Sequence, residues 1–193
     1  MPLASLRRLG AALAVAGLAA VPPPAPSGVV LAQAAAGTLS VRFFYDAPTT
    51  IDPTYHTAIW LEDAKGKMVT TLYVSQELSD TAYKVGRACP DWVKQANWSA
   101  VPPDDVAAVT APTPNVGAGE LTFDLGSFGL APGTYGFRFQ MHVSDSYNVL
   151  HRGQFTVGGP SGVVKLETVY GPGKLDSTQQ FVRDVEVRYQ APK

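Results

Sequence analysis

The chain has 193 residues and a formal net charge of −1, from 15 Lys and Arg against 16 Asp and Glu, with no basic block, so nothing in it would attract a phosphate backbone and nucleic-acid binding is excluded as an expectation. One cysteine, Cys89, rules out an intrachain disulfide framework. The fold must rest on a hydrophobic core, for which the chain is long enough.

Arg7 and Arg8 precede a weakly apolar run over residues 9–20, the layout of a secretory signal. A spanning helix needs about 20 strongly apolar residues. This run is Ala- and Gly-rich and ends at Val21-Pro-Pro-Pro24, which makes it a poor span. The small-x-small site Ala32-Gln33-Ala34 gives the expected division: a cleaved signal over 1–34 and a single domain over 35–193. Cleavage near Ala20, leaving a Pro/Ala tether, is the alternative. The arginine pair also permits the twin-arginine route, with general secretion the better fit to the loose flanking pattern. Either route places the mature protein in the periplasm or outside the cell, without a membrane span.

Residues 38–46 alternate Leu39, Val41, Phe43 and Tyr45 against Ser40, Arg42, Phe44 and Asp46, the period of a half-buried strand. From Ala58 to Val74 the chain reads as one hairpin, with Trp60 inside its first strand, a Gly66-bearing turn at 63–67 and β-branched and aromatic residues resuming at Met68. Residues 79–98 break the β pattern: Pro90 suits a first helical turn, and Trp92, Val93 and Ala96 fall on one stripe. One short helix is expected there. Residues 101–115 carry Pro102, Pro103, Pro112 and Pro114 and are expected to form a long loop crossing the sandwich. Strands resume at 120–125 and at 135–143, the latter pairing with 149–157 across a turn at 144–146. Two more are expected at 163–170 and 181–189, the last with Phe181, Arg183, Val185, Val187 and Tyr189 on one face. About eight short strands with turns between them predict an all-β fold, two antiparallel sheets packed face to face with one short inserted helix.

The motif Ala58-Ile-Trp60-Leu-Glu62-Asp63-x-x-Gly66-Lys-x-Val69-x-Thr71-Leu72, followed by Leu130-Ala-Pro-Gly133-Thr-Tyr135, resembles the predicted periplasmic proteins of domain-of-unknown-function family 2271. The same two features are similar to the immunoglobulin-like module of flagellar hook-capping proteins. The resemblance runs from about residue 38 to 158. It implies an immunoglobulin-like antiparallel β-sandwich and a periplasmic compartment, and brings no established activity. Two departures stand out. Phe123-Asp-Leu-Gly126 replaces the Trp-Asp-Gly turn of such modules, and a Thr-Gly-Ala-Thr-like segment is reduced to Val109-Thr-Ala-Pro-Thr113, which weakens any partner contact that segment carries in relatives.

Candidate chemistry is sparse. Cys89 near a helix N-terminus could be a reactive thiol, yet no Cys-x-x-Cys accompanies it and a structural thiol is the better reading. Met141 and His142, with His151 on the partner strand, could offer thioether and imidazole ligands to a copper-type metal, against the plainer reading of ordinary histidines. Asp104 and Asp105 form an acidic pair, and Asp124, Asp145 and Asp176 lie in expected turns, without the dense oxygen spacing calcium needs. Carboxylates that converge only in space, as a hydrolase would use, leave no mark in a sequence. Trp60 reads as core, while Trp92 and Trp98 could pack over one end of the sandwich or form a binding edge. No Gly-x-Ser-x-Gly, His-Glu-x-x-His or Ser-x-x-Lys motif occurs.

The expectation is a non-catalytic envelope protein that binds another protein or a small ligand without a cofactor. Its contact elements would be the 79–98 insertion and the 101–115 segment, with Trp92, Trp98, Asp104 and Asp105 as contact residues. A metal-binding module on His142, His151 and Met141 is the alternative, and a hydrolase comes last.

Overall fold

The computed structural model describes residues 36–47, 53–144, 147–171 and 181–193. The expected signal, its cleavage sites, Asp145 and Asp176 lie outside the described residues. Among the described residues ten strands form two sheets. β1 (Thr38–Tyr45), β5 (Gly117–Asp124), β8 (Gly162–Val163) and β10 (Val182–Gln190) make a four-stranded sheet in the order β5-β1-β10-β8. β2 (His56–Glu62), β3 (Met68–Ser75), β4 (Thr110–Ala111), β6 (Gly133–Ser144), β7 (Tyr147–Val157) and β9 (Leu166–Gly171) make a six-stranded one in the order β4-β3-β2-β6-β7-β9. All pairings are antiparallel except β3 with the two-residue β4. The expected all-β sandwich is the observed one.

The inner faces pack as period-2 alternation requires. Leu39, Val41, Phe43 and Tyr45 of β1 meet Ile59, Leu61, Phe137, Phe139 and Met141 of the larger sheet, all buried. The β2–β3 hairpin forms where expected. Asp63 directs its turn by accepting the amide hydrogens of Lys65 and Lys67 at 2.8 and 2.9 Å, and Gly66 takes φ +77°. At the entry to β6, where the chain passes from one sheet to the other, the Tyr135 hydroxyl donates to the Ala131 carbonyl four residues back at 2.9 Å.

Three expectations need correction. Residues 76–109 hold three short helices, α1 (Gln76–Asp80), α2 (Pro90–Ala96) and α3 (Pro103–Val109), with 3-10 turns between them, in place of one helix followed by a loop. Pro90 and Pro103 each occupy a first helical position, where the missing N–H costs nothing, so the prolines that argued against a strand at 101–115 start a helix instead. The expected strand at 163–170 is split: Val164 turns inward, its N–H donating to Val187 O at 2.8 Å, and the chain changes sheets between β8 and β9. In β10 the alternation changes phase. Asp184 takes φ +55° in a bulge between the Arg42–Glu186 and Phe44–Arg183 pairs, so Val182 faces inward before it and Val187 and Tyr189 after it, while Arg183 is exposed.

The larger sheet is covered on its inner face throughout and, around β2, on its outer face too. Every residue of β2 is buried. Its outer-face residues Ala58 and Trp60 join Val74, Leu78, Cys89, Trp92 and Trp98 in a second core beneath the helical segment. That accounts for the unbroken apolar run from Ala58 to Leu61, since a strand buried on both faces has no polar alternation.

Candidate functional site

The helical segment is held to the sheet by polar side chains of its outer face. Cys89, the residue before α2, has φ +47° and provides no side-chain cap. Gln140 of β6 takes that role from below: its Oε1 accepts the amide hydrogens of Asp91 and Trp92 at 3.1 and 3.3 Å, and its Nε2 donates to Asp91 Oδ2 at 2.6 Å. One strand further, Asn148 Oδ1 accepts the Cys89 amide hydrogen at 3.2 Å and Asn148 Nδ2 donates to Arg87 O at 3.1 Å. At the far end of α2, Gln95 Nε2 donates to Glu62 Oε1 at 2.9 Å, which also accepts Trp60 Nε1–H at 3.0 Å, while Glu62 Oε2 pairs with Arg138 at 2.6 Å. Sequence reasoning missed Gln140, Asn148 and Gln95, and placed Glu62 only as one position of the β2 motif. The one signal for Gln140, Asn148 and Glu62 is a polar residue in a largely apolar stretch of strand; Gln95, in α2, carries none.

Cys89 is fully buried, and burial pushes its thiol pKa well up. Its Sγ–H faces the carbonyls of His56 and Gln140 at 3.3 and 3.5 Å. These are the surroundings of a structural thiol, and any helix-dipole activation is outweighed by desolvation.

The register separates the expected metal residues. His142 pairs with Asn148 on the outer face, its Nδ1 3.2 Å from Asn148 Oδ1. His151 pairs with Phe139 and therefore faces the inner core, where Met141 also points. His142 and His151 stand on opposite faces of one sheet, so the paired site expected from the sequence is not assembled. Residue 151 lies three positions from 148, an odd offset, and an odd offset reverses the face. The partner of His142 is instead His56 on β2, its ring nearly parallel at 5.9 Å and its Nε2 3.5 Å from Glu77 Oε2 of α1. His151 keeps Nδ1 3.0 Å from the Thr168 hydroxyl, leaves Nε2 without a hydrogen bond, and has its pKa lowered to about 4 by burial. Among the described residues, no three His, Cys, Asp or Glu side chains are grouped to hold a metal.

The tryptophans expected as contacts are packing residues first. Trp92 is fully buried and Trp98 nearly so, their rings 5.0 Å apart at 57°. Trp92 Nε1–H donates to Thr71 Oγ1 at 3.0 Å, and Trp98 Nε1–H to Ser79 O at 3.2 Å. The edge of Trp98 nevertheless lines two grooves. One, of about 530 Å³, lies between β3 and α3 and is walled by Met68, Val69, Val101, Ala108 and Phe128, with Asp105 among its lining residues. The other, of about 480 Å³, lies between α1 and α3 beside Tyr83 and Val106. Asp104 and Asp105 are exposed in the first turn of α3, where negative charge suits the helix dipole. Asp124 is a turn residue, its Oδ1 accepting the Gly126 amide hydrogen at 3.0 Å.

Compared with known proteins, residues 47–169 match the sequence model of a family described as "Predicted periplasmic protein (DUF2271)". No curated protein and no solved structure matches. Among the described residues no helix is long and apolar enough to cross a membrane.

Proposed function

The chain belongs to this family of predicted periplasmic proteins, and from that premise we propose that it is a non-catalytic binding module of the cell envelope, which takes an extended segment of a partner protein into the groove between β3 and α3. The observation that carries this reading is the placement of α3. None of its residues is fully buried, and a groove runs along each of its sides with Trp98 in the wall of both. Apolar walls of Met68, Val69, Ala108 and Phe128 with the Asp105 carboxylate beside them suit an apolar side chain next to a Lys or Arg. The sandwich beneath is read as immunoglobulin-like, a reading supported by the Tyr135 corner, which has the form those domains use.

Selection of displayed peptides on the purified domain tests this. Enriched sequences should pair an apolar anchor with an adjacent basic residue. Their binding should be lost in Ala108→Arg, which fills the groove, and weakened about tenfold in Asp105→Lys. Peptides whose binding neither substitution alters would place recognition elsewhere and overturn the assignment.

A further inference from the structure

The helical segment covers the outer face of the larger sheet over β3, β2 and part of β6. The remainder of that face carries a row of charges. Arg138 of β6 and Arg152 of β7 are directly opposed across the strand pair, an arrangement that like charges disfavour. Each has its carboxylate on the side away from the other: Glu62 of β2 lies 2.6 Å from Arg138 Nη2, and Glu167 of β9 accepts from Arg152 Nε and Nη2, both at 3.0 Å. Glu62–Arg138–Arg152–Glu167 thus runs minus, plus, plus, minus across four strands, with the two cations in the middle.

Beside this pair lies a cleft of about 480 Å³ lined by Arg138, Arg152, Gln154, Lys165 and Glu167. Two glycines lie in or beside it. A Cβ on Gly136 would stand 3.2 Å from Arg138 Nη1, so a larger residue there would displace that guanidinium by a few tenths of an ångström. A Cβ on Gly153 would come 2.7 Å from Lys165 O, so the segment that changes sheets is pressed onto β7, which fixes where Lys165 projects. Lys165 has no carboxylate partner among the described residues, and the Glu167 contacts leave Arg152 Nη1 unused. Three cations against two carboxylates leave a surplus positive charge at one concave place on a chain that is otherwise near neutral.

We propose that this cleft is a binding site for an oxyanion, a carboxylate or phosphate group of a small ligand, taken by Arg152 and Lys165 with Arg138 as supporting charge. The planar guanidinium and the mobile ammonium supply the donors such a group accepts. The site is separate from the groove at Trp98 and does not depend on it.

The test is an amide-resolved NMR titration of the purified protein with inorganic phosphate and, separately, with succinate, in about 20 mM salt, where screening is weak. Saturable shifts confined to residues 152–154 and 165–167, weakened at least about tenfold in Lys165→Gln and in Arg152→Gln, are the expected result. The tighter of the two probes tells a phosphate-bearing ligand from a carboxylate-bearing one. Both side chains are partly or fully exposed, so these variants keep the fold; Arg138→Gln is avoided because it would strand the buried Glu62. Absence of saturation, equal binding by the variants, or equal shifts from chloride at matched ionic strength would each overturn the proposal.

Discussion

Gln140 of β6 holds the start of α2: its amide oxygen accepts two backbone amide hydrogens and its amide nitrogen reaches Asp91 Oδ2 at 2.6 Å. A side chain from the sheet thereby does what the residue before α2 cannot, because Cys89 sits in left-handed geometry with its thiol turned to strand carbonyls. Gln140→Ala should cost about 1–2 kcal/mol, the loss of a helix cap plus buried donors left unpaired. Urea unfolding measures the total. Hydrogen exchange should show the α2 amides opening more readily while β6 and β7 keep their protection, and uniform loss across the domain would contradict this anchoring role.

Glu62 is 4% exposed and satisfies three groups at once, Arg138, Trp60 Nε1–H and Gln95 Nε2–H. Glu62→Leu leaves the Arg138 charge half-buried without its partner and should destabilise by about 3–5 kcal/mol. Adding Arg138→Met should recover much of that loss, because a buried pair replaced by apolar residues is often neutral. A double variant no more stable than Glu62→Leu alone would mean that the Trp60 and Gln95 contacts, rather than the ion pair, dominate.

How much of this was legible depended on whether the information was local. The β2–β3 hairpin carries its own turn chemistry in Asp63 and Gly66, and the inward residues of β1 follow from alternation alone. The bulge at Asp184 was not legible, because it is set by pairing with β1, over a hundred residues earlier in the chain. The same holds for the histidines. Whether His151 joins His142 or turns its back on it hangs on register, and local composition does not encode an odd or even offset. The helices were half legible: Pro90 announces α2, whereas Pro103 reads in sequence as a strand breaker and in the fold also serves as a helix start. The anchors Gln140 and Asn148 act across sequence separations that no motif spans.

The Cys89 thiol, buried and with its pKa raised by desolvation, should resist modification. Iodoacetamide at neutral pH is expected to react at least about a hundredfold more slowly with the native domain than with a free cysteine, and at the free rate in denaturant, because reaction must wait for opening. Mass spectrometry over time gives both rates. Rapid native labelling would mean that the α2 segment lifts from the sheet far more readily than its hydrogen bonds imply.

His151 sets the acid side of the stability curve. Burial lowers its folded pKa to about 4, below the ordinary 6.5, so between those values the unfolded chain binds the additional proton. Stability is therefore fully present above about pH 6.5 and falls as the pH drops toward 4, by up to about 3 kcal/mol from this group. His56, whose pKa is also lowered by burial and partly restored by Glu77, acts in the same direction. Replacing His151 with Leu removes one titration from the core and gives up the hydrogen bond to the exposed Thr168 hydroxyl and the ring contact with Phe139 at 5.6 Å, which an apolar side chain replaces in part. Urea unfolding at pH 7.5 and 5.0 should show the wild type losing clearly more stability than His151→Leu between the two. An unchanged pH slope in the variant would mean that His151 protonates in place, and that its unpartnered Nε2 reaches water in solution.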